Sequence, residues 1–134
     1  MVSKKMTELQ PWECLMKRIV WKQLGDIRDK KILDFGSGIG VTANYLAEHN
    51  DVTAIEPDED SVKERWADNQ YTQIIGSANE LRRFADESFD MIIMIQRRKP
   101  RPFARTSEVF CADYKQRNHH SNRVFFWNYW FFLA

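Results

Sequence analysis

Lys31-Ile32-Leu33-Asp34-Phe35-Gly36-Ser37-Gly38-Ile39-Gly40, answered downstream by Val52-Thr53-Ala54-Ile55-Glu56-Pro57-Asp58, is the stretch that decides the fold of this chain. A short apolar strand (Ile32, Leu33, Phe35) runs into three glycines at alternate positions, Gly36, Gly38 and Gly40. A helix-like segment follows, and a second apolar run ends in an acid, Glu56. Strand, glycine turn, helix and strand in that order are the layout of a nucleotide-type site at the carboxyl ends of parallel strands. The plainer reading of the glycines is a strand-to-helix turn with no ligand, since glycine supplies turn geometry that a Cβ forbids.

The residues around the loop select among ligands. A loop for the pyrophosphate of a dinucleotide reads G-x-G-x-x-G; Gly36 and Gly38 match its first two glycines, but the third position is Val41. Asp34 precedes the loop by two residues, and its carboxylate repels a diphosphate and favours a ligand with a positive centre. Glu56 lies twenty positions after Gly36, where an acid can accept the hydroxyls of a ribose. A ribose, a cationic end and no phosphate describe S-adenosylmethionine. An NAD site is disfavoured by Val41 and Asp34.

On these residues the chain resembles the class I S-adenosylmethionine-dependent methyltransferases, and most of all their small-molecule, ubiquinone/menaquinone-biosynthesis-type subgroup. The resemblance covers about residues 25–95. Ile32 to Gly40 resembles the family's first motif and Val52 to Asp58 its second. Gly76-Ser77-Ala78-Asn79-Glu80-Leu81 resembles the segment bordering the adenine, and Asp86 to Ile93 the run into the fourth strand. The resemblance implies a Rossmann-like, doubly wound parallel α/β sheet, truncated relative to the family's seven strands. It implies S-adenosyl-L-methionine as cofactor, a small-molecule methyl acceptor, and a cofactor set of Asp34, Gly36, Ser37, Gly38, Gly40, Glu56, Pro57, Ser77 and Ala78. In that set Asp34 engages the amino group, the glycines pass the methionine end, Glu56 holds the ribose, and Ser77 with Ala78 lines the adenine. No catalytic residue is assigned; Gln96 merely occupies the neighbourhood of an acceptor. Ser77-x-x-Glu80 also fits a capping box.

The remaining elements follow from periodicity. Trp12, Leu15, Met16, Ile19, Val20 and Leu24 predict an amphipathic helix over 8–24, with Lys17, Arg18 and Lys22 elsewhere on its surface. A helix over 40–49 turns Val41, Tyr45 and Leu46 inward. Asp58 is placed to cap the next helix, which carries Val62 and Trp66 four apart on one face. Strands are expected at 31–35, 52–56, 72–75 and 89–95, with a turn or two of helix at 78–84. The run Met91-Ile92-Ile93-Met94-Ile95 suits a strand buried on both faces. Alternating strands and helices argue for a doubly wound sheet.

At 134 residues the chain is one domain's worth, and its net charge of +1 makes no general case for nucleic acid. Cys14 and Cys111 form no paired motif, and His49, His119 and His120 lack metal-ligand spacing, so neither a disulfide framework nor a metal site is expected. Lys4 and Lys5 precede no apolar signal segment, and no run reaches the length of a membrane span. A cytoplasmic protein without membrane contact is the expectation.

The chain changes character after Ile95. Residues 1–95 hold 12 Lys+Arg against 17 Asp+Glu, whereas residues 96–134 hold 8 against 2, with ten of the 18 aromatics. This divides the chain into an N-terminal helix plus cofactor half (1–95) and a basic, aromatic tail (96–134) with no match to the family's acceptor half. Gln96 to Pro102 reads as a linker, Thr106–Arg117 as a weak helix, and Arg123–Leu133 as an aromatic strand. Such a tail suggests a truncated or altered acceptor half, a non-catalytic cofactor-binding module, or a basic-aromatic surface for nucleic acid. A sheet ending at the fourth strand exposes an apolar edge that invites pairing. The aromatic segment is expected either to cover that edge or to drive self-association.

Overall fold

The computed structural model describes residues 9–96 and the strand at 123–128. The linker after Gln96, the helix expected at Thr106–Arg117, Cys111, His119, His120, Lys4 and Lys5 lie outside the described residues.

Five strands form one parallel sheet in the order β3-β2-β1-β4-β5: β1 Lys31–Phe35, β2 Asp51–Glu56, β3 Thr72–Ile75, β4 Met91–Gln96 and β5 Arg123–Asn128. Helix α1 Pro11–Leu24 precedes β1, and α2 Val41–Leu46, α3 Glu59–Lys63 and a 3-10 helix at Ala78–Arg83 lie in turn between β1, β2, β3 and β4. This is the α/β, Rossmann-like fold that the strand–helix alternation predicts.

Strand alternation builds two cores. Leu33, Phe35, Ile55, Ile92 and Met94 face one way, with Phe89, and are covered by Ala78, Leu81 and Phe84 from the 3-10 segment and its exit. Ile32, Val52, Ala54 and Ile93 face the other way, under Ala43 and Leu46 of α2 and Leu24 of α1. The central strands are thus buried on both faces, which is why their sequences are continuous apolar runs. Each fully buried Ile or Leu contributes roughly 1.5–3 kcal/mol. Asp90 sets the register of β4 on β1: its Oδ2 accepts the Lys31 N–H at 2.8 Å, and its own N–H donates to the Lys31 carbonyl at 2.8 Å.

Several expectations are corrected. The first helix starts at Pro11, a residue suited to the first helical position, and Glu13 Oε2 accepts the Gln10 N–H at 3.1 Å. Its inward stripe is Cys14, Lys17, Val20, Trp21 and Leu24, while Trp12 and Leu15 are both 59 % exposed. The apolar residues of 8–24 span more of the helix surface than the fold covers. Tyr45 points outward and stacks on Trp21, ring centroids 4.0 Å apart. Asp58 caps α3 as expected, Oδ2 accepting the Ser61 N–H, but α3 ends at Lys63. Trp66 therefore shares no helical face with Val62; it is buried against Val41, and its N–H donates to the Ile39 carbonyl at 2.8 Å. Ser77 makes no side-chain cap to the 3-10 helix.

The edge of β4 is paired. β5 lies parallel to it from Met91↔Arg123 to Gln96↔Asn128, inside the segment expected as an aromatic strand. Deleting residues 123–134 uncovers that apolar edge, so the shortened protein should unfold at lower temperature and self-associate in light scattering. A deletion that stays monomeric with an unchanged melting temperature would show that β5 protects nothing.

Candidate cofactor site

The carboxyl ends of three adjacent strands, β3, β2 and β1, bring the candidate residues to one rim of the sheet. Asp34 sits near the end of β1, Glu56 ends β2, and Ser77 and Ala78 follow β3. Gly76 N–H donates to the Glu56 carbonyl at 3.1 Å, tying the exit of β3 to that of β2. Asp34 shares its strand face with Ile32, and Glu56 shares its face with Ala54 and Val52, by the two-residue period of a strand. Both acids therefore point to the side of the sheet that carries α2 and the end of α1.

The loop from Gly36 to Gly40 is held by backbone bonds. The N–H groups of Gly36 and Ser37 donate to the Ile55 carbonyl at 2.8 and 3.2 Å, and Gly40 N–H donates to the Ser37 carbonyl at 2.9 Å. Gly36, Gly38 and Gly40 have φ of 78°, 57° and 77°, the left-handed region where a side chain is strained. A Cβ on Gly36 or Gly38 would meet no atom within 4 Å, so open space lies in front of both. Gly40 differs: a Cβ there would collide with the Tyr71 hydroxyl, which itself donates to the Trp66 carbonyl. Close packing against Tyr71 is by itself enough to require glycine at 40.

Glu56 is 9 % exposed and already engaged, Oε2 accepting the Gly38 N–H at 2.7 Å and Oε1 the Asp58 N–H at 3.0 Å. It pins the loop, with lone pairs left on each oxygen for a further donor. Asp34 is only 2 % exposed, and its Oδ2 has no hydrogen-bond partner; the hydroxyl of Ser37, also buried, has none either. Burial pushes the Asp34 carboxyl up to about 6. The Lys17 ammonium counters that rise, the Glu56 carboxylate adds to it, and a backbone hydrogen bond from Ala43 opposes it. Pro57 is exposed beside Glu56. Two unanswered buried polar atoms beside an open glycine cradle fit a ligand that brings its own donors and a positive charge.

Periodicity put Lys17 on the outer surface of the first helix and gave no role to Trp21 or Thr42, which meet it beside the loop. Lys17 lies on the inward stripe of α1, its Nζ donating to Thr42 Oγ1 at 3.5 Å, and Trp21 Nε1 donates to the same oxygen at 3.4 Å. Thr42, buried at the start of α2, joins α1 to the helix that follows the loop. The spacing of Lys17 from Cys14 and Val20 was the available signal. Among the described residues, no group of three or more His, Cys, Asp or Glu is placed to hold a metal ion, and no helix is long and apolar enough to cross a membrane. A charged hollow lined by Arg28, Lys31, Glu48 and Asp51 lies at the opposite, amino ends of β1 and β2, away from the rim where open α/β sheets bind ligands.

Residues 33–97 match the family model described as a methyltransferase domain. Among solved structures the chain is similar to a protein of Anabaena variabilis described as a candidate methyltransferase from an antibiotic biosynthesis pathway, at 26 % identity and a TM-score of 0.51, over 60 % of this chain and 33 % of that one. A SAM-dependent methyltransferase of Aquifex aeolicus aligns at 23 % identity and a TM-score of 0.52, over 71 % of this chain and 57 % of that one. The DhpI protein in its complex with SAM and HEP aligns at 18 % identity and a TM-score of 0.59, over 91 % of this chain and 59 % of that one. No match was found among curated protein sequences. This chain therefore spans between a third and three fifths of the length of these three structures. The glycine loop, Asp34 and Glu56 all lie within residues 33–97, the part of the chain, just under half of it, that matches a methyltransferase-domain model.

Proposed function

We propose that the protein is an S-adenosylmethionine-dependent methyltransferase acting on a small molecule. The observation that carries this reading is the buried Asp34 carboxylate, one oxygen of which has no partner, beside the open Gly36–Gly38 cradle. In this reading Asp34 receives the cofactor's amino group, Gly36, Ser37 and Gly38 border its methionine end, Glu56 with Pro57 borders the ribose, and Ser77 with Ala78 borders the adenine. Gly40 contributes by shaping the loop. The sulfonium of the bound cofactor supplies an activated methyl group, so the protein's share of the work is to align an acceptor with it and exclude water. The sequence motifs favour acceptors like those of the ubiquinone/menaquinone-type enzymes, and a cytoplasmic protein goes with that reading. The family match stops at Arg97, just beyond β4. That limit supports a second reading, a binding module that holds cofactor without transferring its methyl group. Methyl transfer from labelled cofactor to a panel of phenols, quinols, amines and thiols separates the two. Calorimetry with S-adenosylhomocysteine and with NAD tests the cofactor; tighter binding of NAD would overturn both readings.

Glu56→Ala should weaken S-adenosylhomocysteine binding by about tenfold or more, since charge-assisted hydrogen bonds contribute roughly 1.5–3 kcal/mol each. Gly38→Val should abolish binding outright, because its side chain fills the open cradle and its φ of 57° is barred to a β-branched residue. Calorimetry on folded variants checks both, and normal affinity in Gly38→Val would make the loop purely structural.

Asp34 also predicts a pH dependence. Its folded pKa of about 6 stands above the unfolded 3.8. The native state therefore binds more protons between these values, and stability from this group is present below pH 3.8 and lost as pH rises through about 6. The shift corresponds to about 3 kcal/mol by linkage. Asp34→Asn should raise the melting temperature at pH 7.5, with a difference that shrinks near pH 4, while losing cofactor affinity. In the unmutated protein, affinity for S-adenosylhomocysteine should fall as pH drops through 6. A melting temperature difference that does not vary with pH, or affinity flat from pH 5 to 8, would remove Asp34 from this role.

A further inference from the structure

The segment between α3 and β3 has no part in the reading above, yet it holds the far end of the glycine loop from two sides. Trp66 is buried and donates its N–H to the Ile39 carbonyl at 2.8 Å, between Gly38 and Gly40. Asn69 donates its backbone N–H to Asn44 Oδ1 at 2.8 Å and its side-chain amide to the Asn44 carbonyl at 2.9 Å. Asn44 is buried on α2, and its own N–H donates to the Gly40 carbonyl at 2.8 Å. The segment thus meets the loop directly at Ile39 and, through α2, at Gly40. Tyr71 closes this bracket. Its hydroxyl donates to the Trp66 carbonyl and blocks the place that a Cβ on Gly40 would take. The Arg65 guanidinium lies over its ring, 5.5 Å from the centroid. Burial raises the Tyr71 pKa, Arg65 lowers it and Asp34 raises it, so the hydroxyl stays a proton donor at neutral pH and lies within electrostatic reach of the site's own acid.

These bonds form a circuit around the rim. Glu56 Oε2 holds Gly38, and Glu56 Oε1 holds Asp58, which caps α3. α3 leads on to Trp66, and Trp66 returns to the loop at Ile39. Gly36 and Gly38, which face open space, therefore lie in a loop fixed at both ends. A site fixed in this way loses less conformational freedom when a ligand enters. We propose that Tyr71 is a positioning residue of this site: acting through Gly40 and the Trp66 carbonyl, its hydroxyl sets the place of the glycine loop and so the affinity for the ligand. The proposal rests on the S-adenosylmethionine reading. Removing the hydroxyl takes a donor from the Trp66 carbonyl and opens space behind Gly40, so the loop relaxes toward Tyr71. The same hydroxyl is what a side chain at position 40 collides with. Its loss therefore has opposite effects with and without a side chain there.

The test is calorimetry with S-adenosylhomocysteine on the full chain, unmutated and carrying Tyr71→Phe, Gly40→Ala or both. Tyr71→Phe should bind roughly two- to tenfold more weakly, the range for one neutral hydrogen bond. Gly40→Ala should bind more weakly still, from the collision and from its φ of 77°. Adding Tyr71→Phe to Gly40→Ala should then recover affinity, a reversal of sign that a general loss of stability does not produce. Thermal unfolding establishes that each variant is folded at the temperature of measurement. Without ligand, the amides of residues 36–40 should exchange hydrogen faster in Tyr71→Phe than in the unmutated protein. Where Gly40→Ala does not fold, affinity and exchange in Tyr71→Phe decide the matter. Normal affinity in Tyr71→Phe, even with a lowered melting temperature, makes Tyr71 a packing residue only and overturns the proposal. So does exchange that is no faster, or a folded double variant that recovers nothing. If the unmutated protein binds no S-adenosylhomocysteine, the proposal falls together with the cofactor reading.

Discussion

A carboxylate taken out of water is costly unless something answers its charge, and the whole rim of this sheet is arranged around one such group. Asp34 lies two residues before the glycine loop, on the central strand, buried under α1 and α2. The surrounding protein answers it only in part: a backbone N–H from Ala43 and the Lys17 ammonium favour its charged form, while Glu56 opposes it. One oxygen is left without a partner. A fold selected for stability alone would place Ile or Val there, as β4 does at the paired position Ile93. The proposed reading accounts for this local cost, since a ligand with a positive centre would restore in the complex what the unliganded chain gives up.

The three glycines share a backbone conformation but not a purpose. Gly36 and Gly38 face open space, so their lack of a side chain leaves room for a ligand. Gly40 faces the Tyr71 hydroxyl, so its lack of a side chain lets the segment after α3 pack against the loop. That packing, with the Trp66 N–H on the Ile39 carbonyl, makes the loop's far end rigid. Its near end is held by Ile55 and by the carboxylate of Glu56 on Gly38. Glu56 thus has a structural duty of its own, and replacing it disturbs the loop as well as the proposed ligand contact. This is why the comparison with Gly38→Val, which leaves Glu56 in place, is informative.

Strands were the most legible part of the sequence, because a parallel strand buried on both faces is a continuous apolar run whatever surrounds it. Lys31–Phe35 stands where the sequence reading has it, β2 gains only Asp51, and β4 runs Met91–Gln96 where 89–95 was expected; the half-exposed edge strand Thr72–Ile75 was placed correctly without such a run. That Asp34, the glycines and Glu56 meet at one rim was legible for a related reason: residues at strand ends sit where backbone geometry puts them. Helical faces were less so. Trp12 and Leu15 are apolar yet exposed, and Lys17 is charged yet inward, because residue type reports hydrophobicity while the docking angle of α1 decides which stripe is covered. Tyr45 fooled periodicity in a different way: stacking on Trp21 gives an aromatic ring a partner without burying it. Trp66 was assigned to a helix that stops three residues earlier, and its N–H bonds the Ile39 carbonyl instead of continuing that helix.

The strand order also divides the labour along the chain. From β1 the chain steps outward through β2 and β3, then returns to place β4 and β5 on the other side of β1. Ligands of open α/β sheets bind in the crevice where that direction reverses, here between the carboxyl ends of β1 and β4. Every cofactor motif lies on the β1-β2-β3 side of the crevice. The other wall is formed by the ends of β4 and β5, where Gln96 pairs in register with Asn128. That wall coincides with the end of the family match and with the shift from acidic to basic composition. In the proposed reading a methyl acceptor approaches from this side, since that reading gives the other side to the cofactor at Asp34, the glycine loop and Glu56. In that reading the features that choose an acceptor fall beyond the end of the family match, and a shared cofactor half joined to a different acceptor wall is how one fold can serve many substrates.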